Sequence, residues 1–454
     1  MLFTSPSNQK PPPVNSMITP SPARQLFSQT WPMLFGVLSL MSFQLVDSAF
    51  IGQLGVLPLA AQGFTQPIQM VIIGLQVGLG IATTAVISRA LGENKIRYAQ
   101  QLGGLVVMIG AVGIAFFSVI IYGLRNPILD LLGAPDTIHP IIQSYWVYWL
   151  LSTWCGALLY FLYSLCRANG NTMLPGIMMM VTSLLNIALD PIFIFTFNMG
   201  INGAAMATLI SFSIGIVVVA PTVFRKHWMS FDWHDLSVPK SIASLTSIMG
   251  PAMISQLLPP VSSMLATKLL ASFGTTAVAA WAIGSRYEFF AIVAVLALTM
   301  SMPPMVGRLL GAKQFDQIEK LISIAIRFIL IFQFAIALLT FFGASFLSNL
   351  MTSDKDVTAI LHWHLTLVPI SLGTLGICML MVSLSNAIGQ SYYALLISAL
   401  RLFIFFLPCL WLGAKLGGIK GLFIGALIGN ILAGLNAWWI FKKNFTRLTQ
   451  KSTG

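Results

Sequence analysis

The chain is a succession of twelve long apolar runs, each separated from the next by a short polar stretch. A helix needs about 20 apolar residues to cross roughly 30 Å of hydrocarbon, and inside lipid only helices or closed barrels satisfy their own backbone. Spans are predicted at 31–54, 62–88, 100–124, 138–164, 172–197 and 201–224, then at 245–271, 278–305, 320–347, 360–384, 391–413 and 418–441. Of the 454 residues 57% are hydrophobic and only 8% are charged, whereas a soluble domain carries roughly 25% charged residues on its watery surface. The fold class expected is therefore an all-α integral membrane protein with twelve transmembrane helices.

The net charge of +12 does not point to nucleic acid, because the basic residues stand singly in short loops with no interleaved aromatics. They read instead as topology signals. With the N-terminus placed inside, sixteen of the 24 lysines and arginines fall on the inner side, among them Arg89, Lys95, Arg97, Arg167, Arg225, Lys226, Arg308 and Lys443. Five fall outside, and Arg286, Arg327 and Arg401 lie within spans. That bias places both termini in the cytoplasm of a cell whose inner (plasma) membrane holds the chain. The Ser/Pro/Asn-rich start has no basic n-region leading into a short apolar core, so it reads as a tail rather than a cleaved signal.

The chain repeats itself. At an offset of 219 residues, Pro32 falls on Pro251, Gly55 on Gly274, Arg89 on Arg308, Gly92 on Gly311, Ala168 on Ala387 and Gly170 on Gly389. The expected organisation is a cytoplasmic tail (1–27), an N-terminal lobe of six helices (28–224), a cytoplasmic linker (225–243), a C-terminal lobe (244–441) and a second tail (442–454). Each repeat holds an even number of spans, so the lobes run in the same direction. Two parallel, pseudo-symmetric repeats around an axis along the membrane normal enclose a central cavity suited to alternating access.

Charged groups at membrane depth are costly and mark ion or substrate paths. Three acids lie well inside spans: Asp47, Asp190 and Glu288. Asn186 and Asp190 are four apart, on one helical face, and Pro191 cannot donate a backbone hydrogen bond, which frees the carbonyl of Ile187 and favours a kink. Carboxylate, carboxamide and loose carbonyl together could ligate Na⁺ or hold an Asp for proton uptake; the plainer alternative is a structural polar bridge between helices. Arg286 and Glu288, two apart, cannot face each other along one helix, and Arg401 is the expected partner of Glu288, in a structural ion pair or a substrate site. Cys155, Cys166, Cys378 and Cys409 lie in apolar stretches without metal-ligand spacing. His362 and His364 face different sides of one helix, so no metal pair is expected there, and no nucleophile motif points to an enzyme.

Several segments resemble the multidrug and toxic compound extrusion (MATE) transporters: Trp31-Pro32, then Val46-Asp47-Ser48-Ala49-Phe50-Ile51-Gly52, Ser88-Arg89-Ala90-Leu91-Gly92, Arg167-Ala168-Asn169-Gly170, and Asn186-Ile187-Ala188-Leu189-Asp190-Pro191. The likeness runs from about residue 28 to 441, and the first and last acid-bearing segments resemble the DNA-damage-inducible prokaryotic branch. The resemblance implies two six-helix lobes in a V and antiport, with cations entering through the N-terminal lobe while cationic or amphipathic drugs leave. It implies no cofactor beyond the coupling ion, H⁺ or Na⁺, and a chain that works as a monomer among membrane lipids. In that branch the first-helix Asp, here Asp47, couples the cation, with Asn186, Asp190 and a sixth-helix Thr, here Thr208. A fourth-helix Tyr fits Tyr145, and an Arg-x-Glu fits Arg286 and Glu288. Phe43 stands where some members carry a Tyr, which removes a hydroxyl. Asp47 and Asp190 fall on Ala266 and Cys409 in the second half, so the cation site is expected in the first lobe only. A flippase for lipids or lipid-linked sugars is the alternative carrier, and an uncoupled channel or receptor the alternative class.

Overall fold

A computed structural model describes residues 21–135 and 137–453. Residues 1–20 of the expected N-terminal tail lie outside them; residues 22–27, read as tail, are the first turns of a helix. Ser21 caps that helix, its hydroxyl accepting from the backbone N–H of Arg24, and Pro22 begins it, where a missing N–H costs nothing.

The chain runs through α1 (Pro22–Gln53), α2 (Val56–Gly92), α3 (Ile96–Gly123), a short α4 (Arg125–Leu131), α5 (His139–Ala168), α6 (Met173–Pro191) and α7 (Ile201–Arg225). The second half follows with α8 (Val238–Ala271), α9 (Thr275–Ala291), α10 (Val293–Gly311), α11 (Phe315–Met351), α12 (Lys355–Leu367), α13 (Leu372–Ala387), α14 (Ser391–Ala399) and α15 (Leu407–Thr453). Among the described residues there is no strand.

These elements make twelve crossings, but not every crossing is one helix. The eighth is α9 followed by α10, broken at Ile292. In the tenth, α12 and α13 meet through a 3₁₀ turn, Val368–Ser371, where Pro369 withholds a backbone donor. The eleventh passes from α14 through a π-helical stretch, Leu400–Phe406, into α15. The chain then reverses at Gly417 and Gly418, whose φ of 60° is glycine's territory. Conversely, the pairs Pro259-Pro260 and Pro303-Pro304 leave α8 and α10 continuous.

The 219-residue repeat is visible in the backbone. α2 and α9 start 219 residues apart, as do α3 and α11, and α5 and α13 end 219 apart. Left-handed residues coincide too: Gly55 (φ 112°) with Gly274 (φ 102°), Gly170 (81°) with Gly389 (79°), and Asn94 (59°) with Lys313 (58°). The last pair shares nothing chemically, so the turn geometry outlives the residue that adopts it.

The halves meet at the end of the bundle that carries Arg89 and Arg308. A Cβ on Gly92 would lie 2.1 Å from the Arg308 carbonyl oxygen, and one on Gly311 would lie 2.2 Å from that of Arg89. Thr30 and Ser301 hydroxyls meet at 2.9 Å, and Arg308 donates to the Ala168 carbonyl at 3.2 Å. A cavity of about 360 Å³ beside this seam is lined from both halves, by Arg89, Lys95, Tyr98, Ser244 and Gly389 among others. The opposite end of the bundle carries exposed apolar side chains from both halves. There Val56 at the start of α2 is 82% exposed and Met264 near the end of α8 is 73% exposed.

Candidate functional site

The acids of the first half lie in one layer. Asp47 is six residues from the end of α1, Gln62 six from the start of α2, and Tyr145 six from the start of α5. Asp190 is six residues before the end of the π-helical turn Ile192–Thr196, and Thr208 is seven into α7. At 1.5 Å per residue, all five stand about 9 to 10 Å inside the end remote from Arg89. Alternating helix direction is what brings such distant sequence positions to one depth.

Asp190 is fully buried, Asn186 is 1% exposed and Tyr145 is 5% exposed, while Asp47, Gln62 and Thr208 are half-buried. Of the two orientations of the Asn186 amide, one matches donors to acceptors. Its NH₂ then donates to Asp190 Oδ2 at 3.0 Å, and its oxygen accepts from the Thr208 hydroxyl at 2.9 Å and the Thr208 backbone N–H at 3.1 Å. Asn186 therefore ties α6 to α7 and presents a donor to the carboxylate. Pro191 follows Asp190, and the chain widens at once into the π-helical turn, a local distortion at the place where the ring denies the helix a donor.

Asp47 is held from a different element: Gln62 donates to its Oδ2 at 3.3 Å. Asp47 lies near both Asp190 and Tyr145. Among the described residues neither acid makes an ion pair. Two carboxyl groups at membrane depth without a counter-cation leave a proton or a bound cation as the neutralising partner. Asp47, Asp190 and Thr208 carry oxygens that such an ion could use, while Asn186 turns its NH₂ to Asp190 and its oxygen to Thr208; among the described residues no three His, Cys, Asp or Glu side chains gather to hold a metal. Gln62 was not anticipated from sequence; its identity is common, and its register against Asp47 depends on how α1 and α2 pack.

The second half arranges its polar groups differently. Glu288 is bound not by Arg401, as expected, but by His364, whose Nε2 lies 2.6 Å from Oε1. His364 is fully buried, set edge-on between Trp281 and Phe423, with ring centroids 5.4 and 5.1 Å away. It rests on Gly284, where a Cβ would come within 2.5 Å of the imidazole. His362 is turned away from it, within 3.4 Å of the Ser345 hydroxyl. Arg401 is near Glu288 and Cys378, but its Nε is buried without a partner. Arg286 is exposed on the opposite flank of α9. At the repeat positions of the first-half acids stand Ala266, fully buried, and Cys409, which carry no charge into the second half.

Comparison with known proteins places this arrangement. The MatE family model matches residues 32–192 and 251–412, one match in each half. The chain is 29% identical over 428 residues to the FAD transporter of Shewanella oneidensis, covering 92% of this chain and 94% of that protein. It is 24% identical to the multidrug export protein MepA of Staphylococcus saprophyticus, covering 92% and 93%. Among solved structures, the Vibrio cholerae MATE transporter VcmN in its bent form superposes with a TM-score of 0.93 at 67% identity, over 94% of this chain and 98% of that one.

Proposed function

This chain belongs to the MatE family of membrane transporters, and from that premise we propose that it is a secondary active exporter of cationic and amphipathic small molecules, driven by cation entry through Asp47. The observation that carries this reading is the uncompensated acid layer of the first half, with Asp47 held by Gln62 and Asp190 by Asn186. One relative is named a multidrug export protein and another an FAD transporter, which supports organic molecules as the cargo.

In this reading residues 28–224 and 244–441 are the two lobes, joined by 225–243 on the cytoplasmic side of the plasma membrane. The Arg89–Arg308 seam closes the cytoplasmic end, and the cleft opens outward. A proton taken by Asp47 changes what Gln62 can hold, because a neutral acid accepts the amide hydrogen bond more weakly than a carboxylate. Helix α1 then shifts and the drug-binding space shrinks. A ligand moves this equilibrium only by its differential affinity for the two states. Na⁺ is the competing coupling ion, since the same oxygens would ligate it.

The test is reconstitution in liposomes with ethidium as the reporter, under an imposed pH gradient and then a Na⁺ gradient. Proton coupling predicts dye movement under the first, lost in Asp47→Asn. An Asp47→Asn protein that still accumulates ethidium against its gradient overturns the assignment of Asp47.

A further inference from the structure

Charge is divided between the halves. Away from the Arg89–Arg308 end, the first half holds two acids at membrane depth, Asp47 and Asp190, without a base, whereas the second half holds Arg286, Arg327 and Arg401 with one acid, Glu288. That acid is already engaged by His364 at 2.6 Å. Among the described residues no carboxylate lies within ion-pairing distance of any of these arginines. Arg401 is the eleventh residue of a crossing that runs from Ser391 to the Gly417 reversal, close to the middle of the membrane. Among the described residues no hydrogen bond satisfies its guanidinium, and its Nε is buried.

An arginine at that depth without a counter-ion faces a watery cavity or a substrate rather than lipid. Two further features favour a substrate. Arg401 lies in the π-helical stretch Leu400–Phe406, and such widened turns concentrate at functional sites. Neighbouring Glu288 is oriented by a buried imidazole whose Nδ1 has no partner. That contact keeps the carboxylate from folding over the guanidinium and leaves its planar fork of donors free.

We propose that Arg401 is an anion-binding subsite of the second lobe that receives the carboxylate or phosphate group of amphipathic organic anions. The proposal rests on the reading of the chain as an exporter and widens it: cations are drawn to the first-half acids, anionic substrates to Arg401. Bidentate pairing with a planar carboxylate or a phosphate suits arginine better than lysine.

The experiment uses the full-length protein in proteoliposomes with two dyes run in parallel, ethidium and the anionic 5-carboxyfluorescein. The same dyes are titrated against detergent-solubilised protein by fluorescence anisotropy. Wild type is expected to bind and move both. Arg401→Gln is expected to weaken carboxyfluorescein binding about tenfold, the loss of one charge-assisted contact, while ethidium binding and transport stay within about twofold. Arg401→Lys should recover part of the anion affinity, which a merely structural role would not give. Ethidium transport by wild type with no carboxyfluorescein binding overturns the subsite and leaves the exporter reading standing. So does equal anion binding by wild type and Arg401→Gln. Failure of wild type to move either dye overturns both.

Discussion

Gly92 and Gly311 are reciprocal, each lying where a methyl group would strike the main-chain oxygen of the arginine that begins the other half's equivalent turn, Arg308 for Gly92 and Arg89 for Gly311. No side chain can be fitted at either place without parting the halves, because the obstacle is backbone. Gly92→Val and Gly311→Val should therefore each disfavour the closed seam by roughly 1–3 kcal/mol, the usual cost of overpacking. Spin labels at Ile96 and Gln317, both outside the seam, should report longer separations in either variant. Gly113→Val is the control, since a Cβ there meets nothing within 4 Å; an unchanged distance distribution in Gly92→Val would refute the clasp.

Removing the tie between α6 and α7 should cost more than its single side chain suggests. Asn186→Ala strips a buried carboxyl of its donor and Thr208 of its acceptor, so melting in detergent should show a loss of about 1–3 kcal/mol together with loss of dye transport. Thr208→Val leaves the backbone N–H on Asn186 intact and should be the milder of the two. Equal effects would mean that the hydroxyl, not the backbone, fixes the amide.

Gly284→Ala and His364→Leu attack one contact from its two sides. The first pushes the imidazole off its seat, and the second leaves Glu288 without its donor at 2.6 Å. Each should destabilise the second half by about 1–3 kcal/mol, and Glu288→Gln combined with His364→Leu should recover part of the loss. Additive losses in that double variant would count against a direct pairing.

Outside the membrane, Glu93 receives Lys95 Nζ at 2.7 Å and Arg89 Nε at 3.2 Å. The Lys95 hydrogen bond, followed by the charges of both bases, holds its carboxyl below the ordinary glutamate value of 4.5. A folded-state value below the unfolded one gives stability that is present above about pH 4.5 and is lost as pH falls through the depressed value. The side chain is 30% exposed, so the contribution at neutral pH should be below about 1 kcal/mol. Glu93→Gln should lower the melting temperature slightly at pH 7 and not at all at the acid end. A constant difference across that range would assign the effect to packing instead.

Much of this was legible in the sequence because apolar length and repeat register are one-dimensional signals. The offset that pairs Arg89 with Arg308 also pairs Gly55 with Gly274 in left-handed backbone. The helix face shared by Asn186 and Asp190 follows from spacing alone. Other contacts were not readable. Gln62 reaches Asp47 across two helices, and His364 reaches Glu288 across 76 residues, so both depend on helix rotation, which no local pattern specifies. The break at Ile292 carries neither glycine nor proline, which is why the eighth crossing read as one helix.

The seam is symmetric, whereas the chemistry on either side of the cleft is not. Both halves close through the same glycine-on-carbonyl contact, yet one presents acids and the other arginines. The gating surface is thus physically separate from the residues that would set cargo and fuel. Mutation can retune what is carried by altering one lobe's lining while the closure stays untouched. Changes that alter which molecules are carried are then expected to accumulate around positions such as Arg401 and Tyr145, and to leave Gly92 and Gly311 unaltered.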